Sequence, residues 1–445
     1  MRFFYPGSVP ADGGGVGTVQ LIAALLLWSV SVQGTPSAVE ELAQLQKQAH
    51  TAHVAGDKRG YLEAALKVRS LLNDAPDAIE ASARAYAEAG ENEHALAALN
   101  EFAAMGQADD AMLAGKDKAF VALHDLPGYK SILEKFRQNK TAVGRSELAF
   151  TLTDAGILPE DIDFDPQSKT FLITSVLEGK IVRVTASGQI SAFATSPSRW
   201  PMLAIKVDAQ RNRVWATEVA LDGFTIAPKG DWGRSAVLCF DLQTGKLLNR
   251  IEGPLHTALG DMALTPAGIP IVSDGDGGGV YKIEDGRLEL INGKDFISPQ
   301  TPVVLPGGNL VAVPDYARGI GILDLRDGQV QWVNYQAGGH QGGVKVALNG
   351  VDGLYYVDGA FILTQNGTSP ERVVRMKLDL SKTNVASEEL IERSTATLGD
   401  PTHGVVVGDW FYYIANSGWN VLDEHGDVKA GEKLTPGMVM RFRLR

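Results

Sequence analysis

Hydrophobic and polar positions follow one sequence pattern that recurs six times between residues 148 and 445. A polar residue precedes a short apolar strand, a turn and a second strand with a polar end, and the first copy closes at Ser175. Counted from Glu160, the copies begin at intervals of 43, 57, 40, 52 and 50 residues. This is the spacing of propeller blades, so the pattern predicts a mainly β fold with a six-bladed β-propeller over residues 148–445.

The hairpin geometry predicts which residues meet at one end of the propeller. The first strand of a blade leaves one face and the second strand returns to it, so the starts and the ends should share that face. The predicted starts are Glu160, Leu203, Gly260, Gln300, Asp352 and Thr402. The predicted ends are Ser175, Glu218, Asp274, Asp315, Asn366 and Asn416. All six ends are polar and three are carboxylates, which indicates an oxygen-rich central mouth.

The 57-residue interval contains an insertion, from Ala220 to Arg234, that is rich in Gly, Pro and Trp. A long irregular insertion beside a predicted mouth is a candidate lid. Its aromatic residues Phe224 and Trp232, with Trp419, are either an apolar wall for a ligand or ordinary packing between blades.

A helical region is predicted over residues 39–137, where the composition changes to Ala, Leu and Glu. The sequence Ala55-Gly56-Asp57 recurs as Ala89-Gly90-Glu91, 34 residues later, which resembles the period of tetratricopeptide repeats. The region is either a helical bundle that serves as a spacer or a groove for a partner protein. Residues 138–147 are predicted as the linker.

The apolar run from Val19 to Val32 is too short for a comfortable membrane span. Small residues follow it, so residues 1–34 are predicted as a signal peptide or an N-terminal anchor. The expected location is secreted or periplasmic, with no integral membrane domain unless this segment remains attached.

Net charge and cysteine content narrow the possible functions. A net charge of −12 argues against a nucleic-acid partner, because such proteins need a basic surface. Cys239 is the single cysteine, so no disulfide forms within the chain.

An oxygen-rich mouth favours a hard cation. Calcium takes six to eight oxygen ligands from carboxylates, amides and water, whereas zinc needs a His or Cys cluster that the sequence does not show. His403 begins a first strand and could reach the mouth, or it could be a satisfied core histidine; His340 lies in a Gly-rich loop.

The chain resembles the senescence marker protein/gluconolactonase family of six-bladed propellers, of which strictosidine synthase and paraoxonase are distant relatives. Its Pro159–Pro166 phrase looks like the family's first-blade opening, whose glutamate binds calcium, and this implies a metal role for Glu160. The Asp352-Gly353-Leu354 step is similar to one whose aspartate is both a metal ligand and the proposed general base. The resemblance adds Gln300 as a third ligand, where the family has asparagine. Gly260-Asp261 replaces an Asn-Asp pair.

Two functions are therefore expected. The first is an exported, calcium-dependent hydrolase of a lactone or related ester, with Glu160, Gln300 and Asp352 on the metal and Asp352 or Asp315 as the base. Six residues are candidates for binding the small-molecule substrate: Asp261, Asp274, Asn366, Asn416, Trp419 and His403. The second function is a non-catalytic binding or scaffold protein, and redox or condensation chemistry is a further possibility.

Overall fold

A computed structural model of the protein describes residues 35–334, 346–381 and 383–445. The predicted signal segment, residues 1–34, and His340 lie outside the described residues. No helix in the described ranges is long and apolar enough to cross a membrane.

The chain begins with a helical region from Ala38 to Asn139. Its helices are α1 (Ala38–Val54), α2 (Lys58–Leu71), α3 (Pro76–Ala89), α4 (Asn92–Ala104), α5 (Asp110–Leu113), a 3₁₀ helix (Lys118–Leu123) and α6 (Pro127–Asn139). A capping box starts α1, since Ser37 and Glu40 exchange side-chain and backbone hydrogen bonds. The repeated sequence marks the turns of two helical hairpins, α1–α2 and α3–α4, where Gly56 and Gly90 adopt positive φ.

Six antiparallel sheets follow, and they confirm the predicted six-bladed propeller. The first three blades are β3 (Pro159–Asp165) to β6 (Ile190–Thr195), β7 (Met202–Asp208) to β10 (Leu247–Glu252), and β11 (Leu259–Leu264) to β14 (Arg287–Asn292). Their middle strands are β4 (Thr170–Ser175), β5 (Lys180–Val184), β8 (Arg213–Ala220), β9 (Arg234–Asp241), β12 (Pro270–Asp274) and β13 (Val280–Glu284).

Blade four runs from β15 (Val303–Val304) through β16 (Leu310–Asp315) and β17 (Gly319–Asp324) to β18 (Val330–Trp332). Blade five contains β19 (Val351–Val357), β20 (Ala360–Gln365), β21 (Arg372–Asp379) and β22 (Asn384–Arg393). Blade six contains β23 (Gly404–Val407), β24 (Trp410–Ile414) and β25 (Met438–Arg443).

The fourth strand of blade six comes from the beginning of the propeller sequence. Strand β2 (Glu147–Thr151) pairs with β25, and the short β1 (Val143–Gly144) adds a fifth strand to blade five beside β22. The ring is thus closed by a strand that precedes blade one. The predicted linker, residues 138–147, is therefore partly regular structure, since it includes the end of α6, β1 and the first residue of β2.

The first strands form the inner ring, where β3 contacts β7, β7 contacts β11, β11 contacts β15, β15 contacts β19 and β23 contacts β3. Apolar clusters fill the spaces between blades, as between Leu172 of blade one and Ile205 of blade two. Burial between blades, rather than along the axis, therefore forms the core.

One hydrogen bond passes from each blade to the next around the inner ring, which gives six in all. The acceptors are the backbone carbonyls of Leu203, Gly260, Gln300, Asp352, Thr402 and Glu160. These are the six starts predicted from the sequence, so the alignment of the repeats is confirmed residue by residue. The donors are side-chain hydroxyls, except at Asp352, where the donor is the backbone N–H of Thr301.

The helical region packs on the face of the propeller where first strands begin, which we call the mouth face. The Ala108 N–H donates to the Ser369 carbonyl at 2.6 Å, and the Ala38 N–H donates to the Lys294 carbonyl at 2.8 Å. One apolar cluster contains both Phe136 of α6 and Leu348 beside blade five. The helices are thus part of one packed body over blades four and five.

Candidate functional site

Three side chains from three blades converge at the centre of the mouth face. One carboxylate oxygen of Glu160 (blade one), one of Asp352 (blade five) and a ring nitrogen of His403 (blade six) lie within 4.8 Å of one another. All three residues are buried, with exposed fractions of 3%, 1% and 1%. The propeller therefore brings together residues that are up to 243 positions apart in the sequence.

His403 is held as an imidazolium by its two partners. Its Nδ1 lies 2.9 Å from the Glu160 backbone carbonyl, and its Nε2 lies 2.6 Å from Asp261 Oδ1. A carbonyl and a carboxylate oxygen both accept, so both ring nitrogens donate. Burial opposes the charge, but Asp261, followed by Asp161 and Asp352, outweighs it and raises the pKa of His403 to about 10.

This ion pair crosses the propeller axis, because Asp261 belongs to blade three and His403 to blade six. Thr301 also donates to Asp261, at 3.2 Å. His403 and Thr301 both contact Oδ1 of Asp261, and the predicted binding of a substrate by Asp261 stays a prediction. His403 has no ring nitrogen left for a metal. The pair forms the floor of the mouth.

A second buried ion pair lies beside the first. Lys206 Nζ donates to Asp161 Oδ2 at 2.6 Å, and the Ile205 N–H donates to the same oxygen at 2.8 Å. Burial opposes the charge on Lys206, but Asp161 in particular raises its pKa. Each of these carboxylates thus has its own cation.

Glu160 and Asp352 have no cationic partner of this kind, since neither forms an ion pair with any side chain in the described ranges. Each instead has one oxygen held by a neutral donor. Trp419 Nε1 donates to Glu160 Oε2 at 2.5 Å, and Asn366 Nδ2 donates to Asp352 Oδ2 at 2.7 Å. Tyr316 in turn donates to Asn366 Oδ1 at 3.0 Å, which fixes the amide. The other oxygen of each carboxylate remains for a ligand.

Two unpaired carboxylates in one buried mouth repel each other. Burial raises the pKa of Glu160 to about 7, and the Asp352 carboxylate adds to the rise, while His403 and the Trp419 hydrogen bond oppose it. A positive charge placed between them would relieve both the burial cost and the repulsion.

The polar ends of the second strands have a structural function, because they accept hydrogen bonds from backbone N–H groups. Asp315 accepts four backbone N–H groups, those of Ile297, Ser298, Ala317 and Arg318. Each oxygen of its carboxylate thus accepts two N–H groups, which argues against the predicted function of Asp315 as a catalytic base.

Two predicted substrate-binding residues also accept backbone N–H groups, and their binding of a substrate stays a prediction. Asp274 Oδ1 accepts the N–H groups of Ala258, Asp276 and Gly277, and Asn416 accepts the Met438 N–H. Such residues hold the chain that leads into or out of the neighbouring strand. Asn366 does not cap the backbone in this way, because the second strand ends one position earlier, at Gln365, which pairs with Val351.

Gln300, the third predicted metal ligand, is buried at the start of blade four. Its side-chain nitrogen donates to the carbonyl and hydroxyl of Ser298, at 3.2 and 3.1 Å. The amide oxygen is the atom left for a cation, and its participation stays a prediction.

Two loops, which we call the cap, cover the mouth beside the site. They are residues 221–233, within the insertion predicted as a lid, and residues 415–437, which connect β24 with β25. The Thr225 N–H donates to the His425 carbonyl at 3.0 Å, and the rings of Phe224 and Trp419 stack with centroids 5.8 Å apart. The sequence indicates the first loop but not the second, because the second lies after the last blade start, where no further blade interval exists to show an insertion.

Comparisons with known proteins identify no family for this chain. No protein-family model matches the chain, and no curated protein matches it. Solved structures that do match include a PQQ-bound aldose sugar dehydrogenase from Streptomyces coelicolor, at 14% identity and a TM-score of 0.45. The alignment covers 68% of this chain and 98% of that one.

Two further matches are a luciferin-regenerating enzyme and a virginiamycin B lyase from Staphylococcus aureus, each at 12% identity. Their TM-scores are 0.44 and 0.43, and the alignments cover 68% and 66% of this chain and 96% and 98% of theirs. Similarity at this level carries no argument about activity, so the gluconolactonase-like resemblance stays an expectation.

Proposed function

We propose that the mouth binds a calcium ion through Glu160 and Asp352 and that the protein hydrolyses a lactone or related ester there. The observation that carries the proposal is the pair of buried carboxylates without a cationic partner, each with one oxygen fixed by a neutral donor. A divalent cation would balance both charges at once.

The chemistry of the donors supports a hard cation rather than zinc. The free atoms are carboxylate oxygens, together with the amide oxygen of Gln300, and calcium accepts such ligands with water in the remaining positions. The only histidine of the cluster uses both nitrogens in hydrogen bonds, so the nitrogen or sulfur ligands that zinc prefers are missing from this group.

A bound ion would polarise the substrate carbonyl as a Lewis acid. Asp352 would then act as the base and take a proton from the water that adds to the carbonyl carbon. The bond between that carbon and the ester oxygen would then break. The proton passes to the departing alkoxide oxygen, so an ester yields an acid and an alcohol. The stacked rings of Phe224 and Trp419 would provide an apolar wall.

The proposal is tested by measuring calcium binding and hydrolysis on the same preparations. We expect about one calcium ion per chain after dialysis against calcium, and none after chelation. The Asp352→Asn variant should lose calcium binding and at least about a hundredfold of any hydrolysis of lactones and aryl esters, because it removes both the ligand charge and the base.

The matched control is Asp285→Asn, which changes an exposed aspartate in a hairpin turn of blade three. It should bind calcium and turn over as the unmodified protein does. Unchanged hydrolysis in Asp352→Asn, or in the presence of chelator, would contradict a calcium-dependent hydrolase.

One observation favours the alternative of a non-catalytic binding protein: the cap lies over the mouth, and Glu160 and Asp352 are almost completely buried. Calcium binding without hydrolysis of any ester or lactone would support this second function. Export, a partner protein for the helices and a secreted or periplasmic location remain predictions.

A further inference from the structure

The cap carries one of the two donors that orient the candidate ligands. Asn366 holds Asp352 from the short loop between β20 and β21, which is tied to the helical region through Ser369. Trp419 holds Glu160 from the much longer cap loop of blade six. The orientation of Glu160 therefore depends on the position of the cap.

Trp419 is itself positioned by the other cap loop. Its ring lies nearly parallel to that of Phe224, with an angle of 16° between the planes. Phe224 and Leu422 are buried in an apolar cluster that also contains Leu203 and Ala258, at the starts of blades two and three. Burial of this cluster holds the indole N–H over Glu160.

We propose that Trp419 is a positioning residue for Glu160, so that the cation binds tightly only when the cap is in place. A neutral donor on one oxygen turns the carboxylate toward the ion without reducing its charge, which is how outer partners of metal ligands act. By linkage, a bound cation must stabilise the closed cap by the same free energy. This inference rests on the proposed cation site.

The test compares two Trp→Phe variants in the intact protein by calorimetric titration with calcium. Trp419→Phe keeps an aromatic ring against Phe224 but loses the N–H, and it should weaken calcium binding about 10- to 100-fold. Trp410→Phe changes a tryptophan of the same blade that packs on Arg441 and Arg443, away from the cap, and should bind calcium unchanged.

Hydrogen exchange provides a readout that does not depend on activity. Calcium should slow amide exchange in residues 221–233 and 415–437 of the unmodified protein and of Trp410→Phe. In Trp419→Phe the slowing should require a higher calcium concentration. Strand β13, distant from the cap, should be unaffected in all three proteins.

The outcomes separate the two proposals. If the unmodified protein binds no calcium, the proposed function fails, and the inference fails with it. If calcium binds and Trp419→Phe binds it equally well, with the same cap protection, the cation site stands and only the inference is overturned. Tighter binding in Trp419→Phe would show that the indole competes with the ion, which also overturns it. Thermal unfolding of each variant confirms that it is folded.

Discussion

Among single residues, His403 carries a buried positive charge into the mouth. It brings a buried positive charge to Asp261 and donates to the Glu160 backbone, so it links three blades through one ring. A folded-state pKa of about 10, against about 6.5 in an unfolded chain, makes this link dependent on pH.

The direction of that dependence follows from proton binding. Between about pH 6.5 and 10 the folded state holds a proton on His403 that the unfolded chain releases, so stability falls as pH rises through this range. Below about pH 6.5 both states are protonated and the full stabilisation is present. We expect unfolding free energies measured with chelator to fall between pH 7 and 10, by at most about 1.4 kcal/mol per pH unit from this residue.

His403→Gln should lose that component of the pH slope, whereas His425→Gln, which changes an exposed cap histidine, should retain it. Equal slopes in the unmodified protein and His403→Gln would mean that His403 is not charged in the folded state. Denaturation followed by fluorescence at several pH values makes the comparison.

The sequence identified Glu160, Asp352 and His403 as mouth residues because a repeat places equivalent positions at equivalent heights. It did not reveal that Asp274 and Asp315 accept backbone N–H groups, because strand ends are polar for two different reasons, exposure to a ligand and capping of neighbouring backbone. Only the register distinguishes these reasons. Pairing within the hairpin puts Asp315 opposite Pro299, one position before Gln300.

At the level of elements, hydroxyl groups connect successive blades. Thr174, Thr217, Ser273 and Thr364 lie near the end of the second strand in four blades, and each donates to the start of the next blade. The sequence shows this signal only in part, as a Ser or Thr directly before three of the six predicted ends, Ser175, Glu218 and Asp274.

Removing one of these hydroxyls should weaken the contact between two blades. Thr217 Oγ1 accepts the Ala204 N–H at 3.0 Å and donates to the Gly260 carbonyl at 3.2 Å. Thr217→Val keeps the shape but leaves both backbone groups without this partner in a buried site, so we expect a loss of about 1–3 kcal/mol in unfolding free energy.

The control for this change is Thr195→Val at the exposed end of β6, which should alter stability by less than about 0.5 kcal/mol. Chemical denaturation of both variants provides the comparison. Equal stabilities would indicate that the blade-to-blade hydroxyl contributes nothing net.

At the level of the whole molecule, the helices and the propeller are joined through Arg372. This buried side chain donates to Gln365 Oε1 at 2.8 Å, to the Ala347 carbonyl at 3.1 Å and to the Met105 carbonyl of the helical region at 3.4 Å. The sequence predicted both parts but not their contact, because an interface between domains leaves no periodic signal. Neither of the two expectations for the helical region, a spacer or a groove for a partner protein, includes packing on the mouth face.

Arg372→Met should therefore destabilise the whole protein. The substitution leaves the buried Gln365 Oε1 without its donor and removes the cation that lies 3.5 Å from Glu388, while the Ala347 and Met105 carbonyls each keep one other donor. We expect a loss of about 2–4 kcal/mol in unfolding free energy. Helical and β-sheet signals, which should disappear together in the unmodified protein, should separate into two transitions. Arg326→Met, at an exposed turn of blade four, should retain the single transition. A single transition of undiminished stability in Arg372→Met would show that this residue does not hold the interface.

Closure of the ring by β2 has a consequence for protein synthesis. Arg441 of β25 donates to Glu147 of β2 across a separation of 294 positions. At about 5–20 residues per second, the ribosome needs roughly 15–60 seconds to make the chain between them. Throughout that time β2 is outside the ribosome with an unpaired edge, and blade six cannot form. The growing chain is therefore most exposed to mispairing just before translation ends, and a chaperone that shields an extended N-terminal strand would act in this interval.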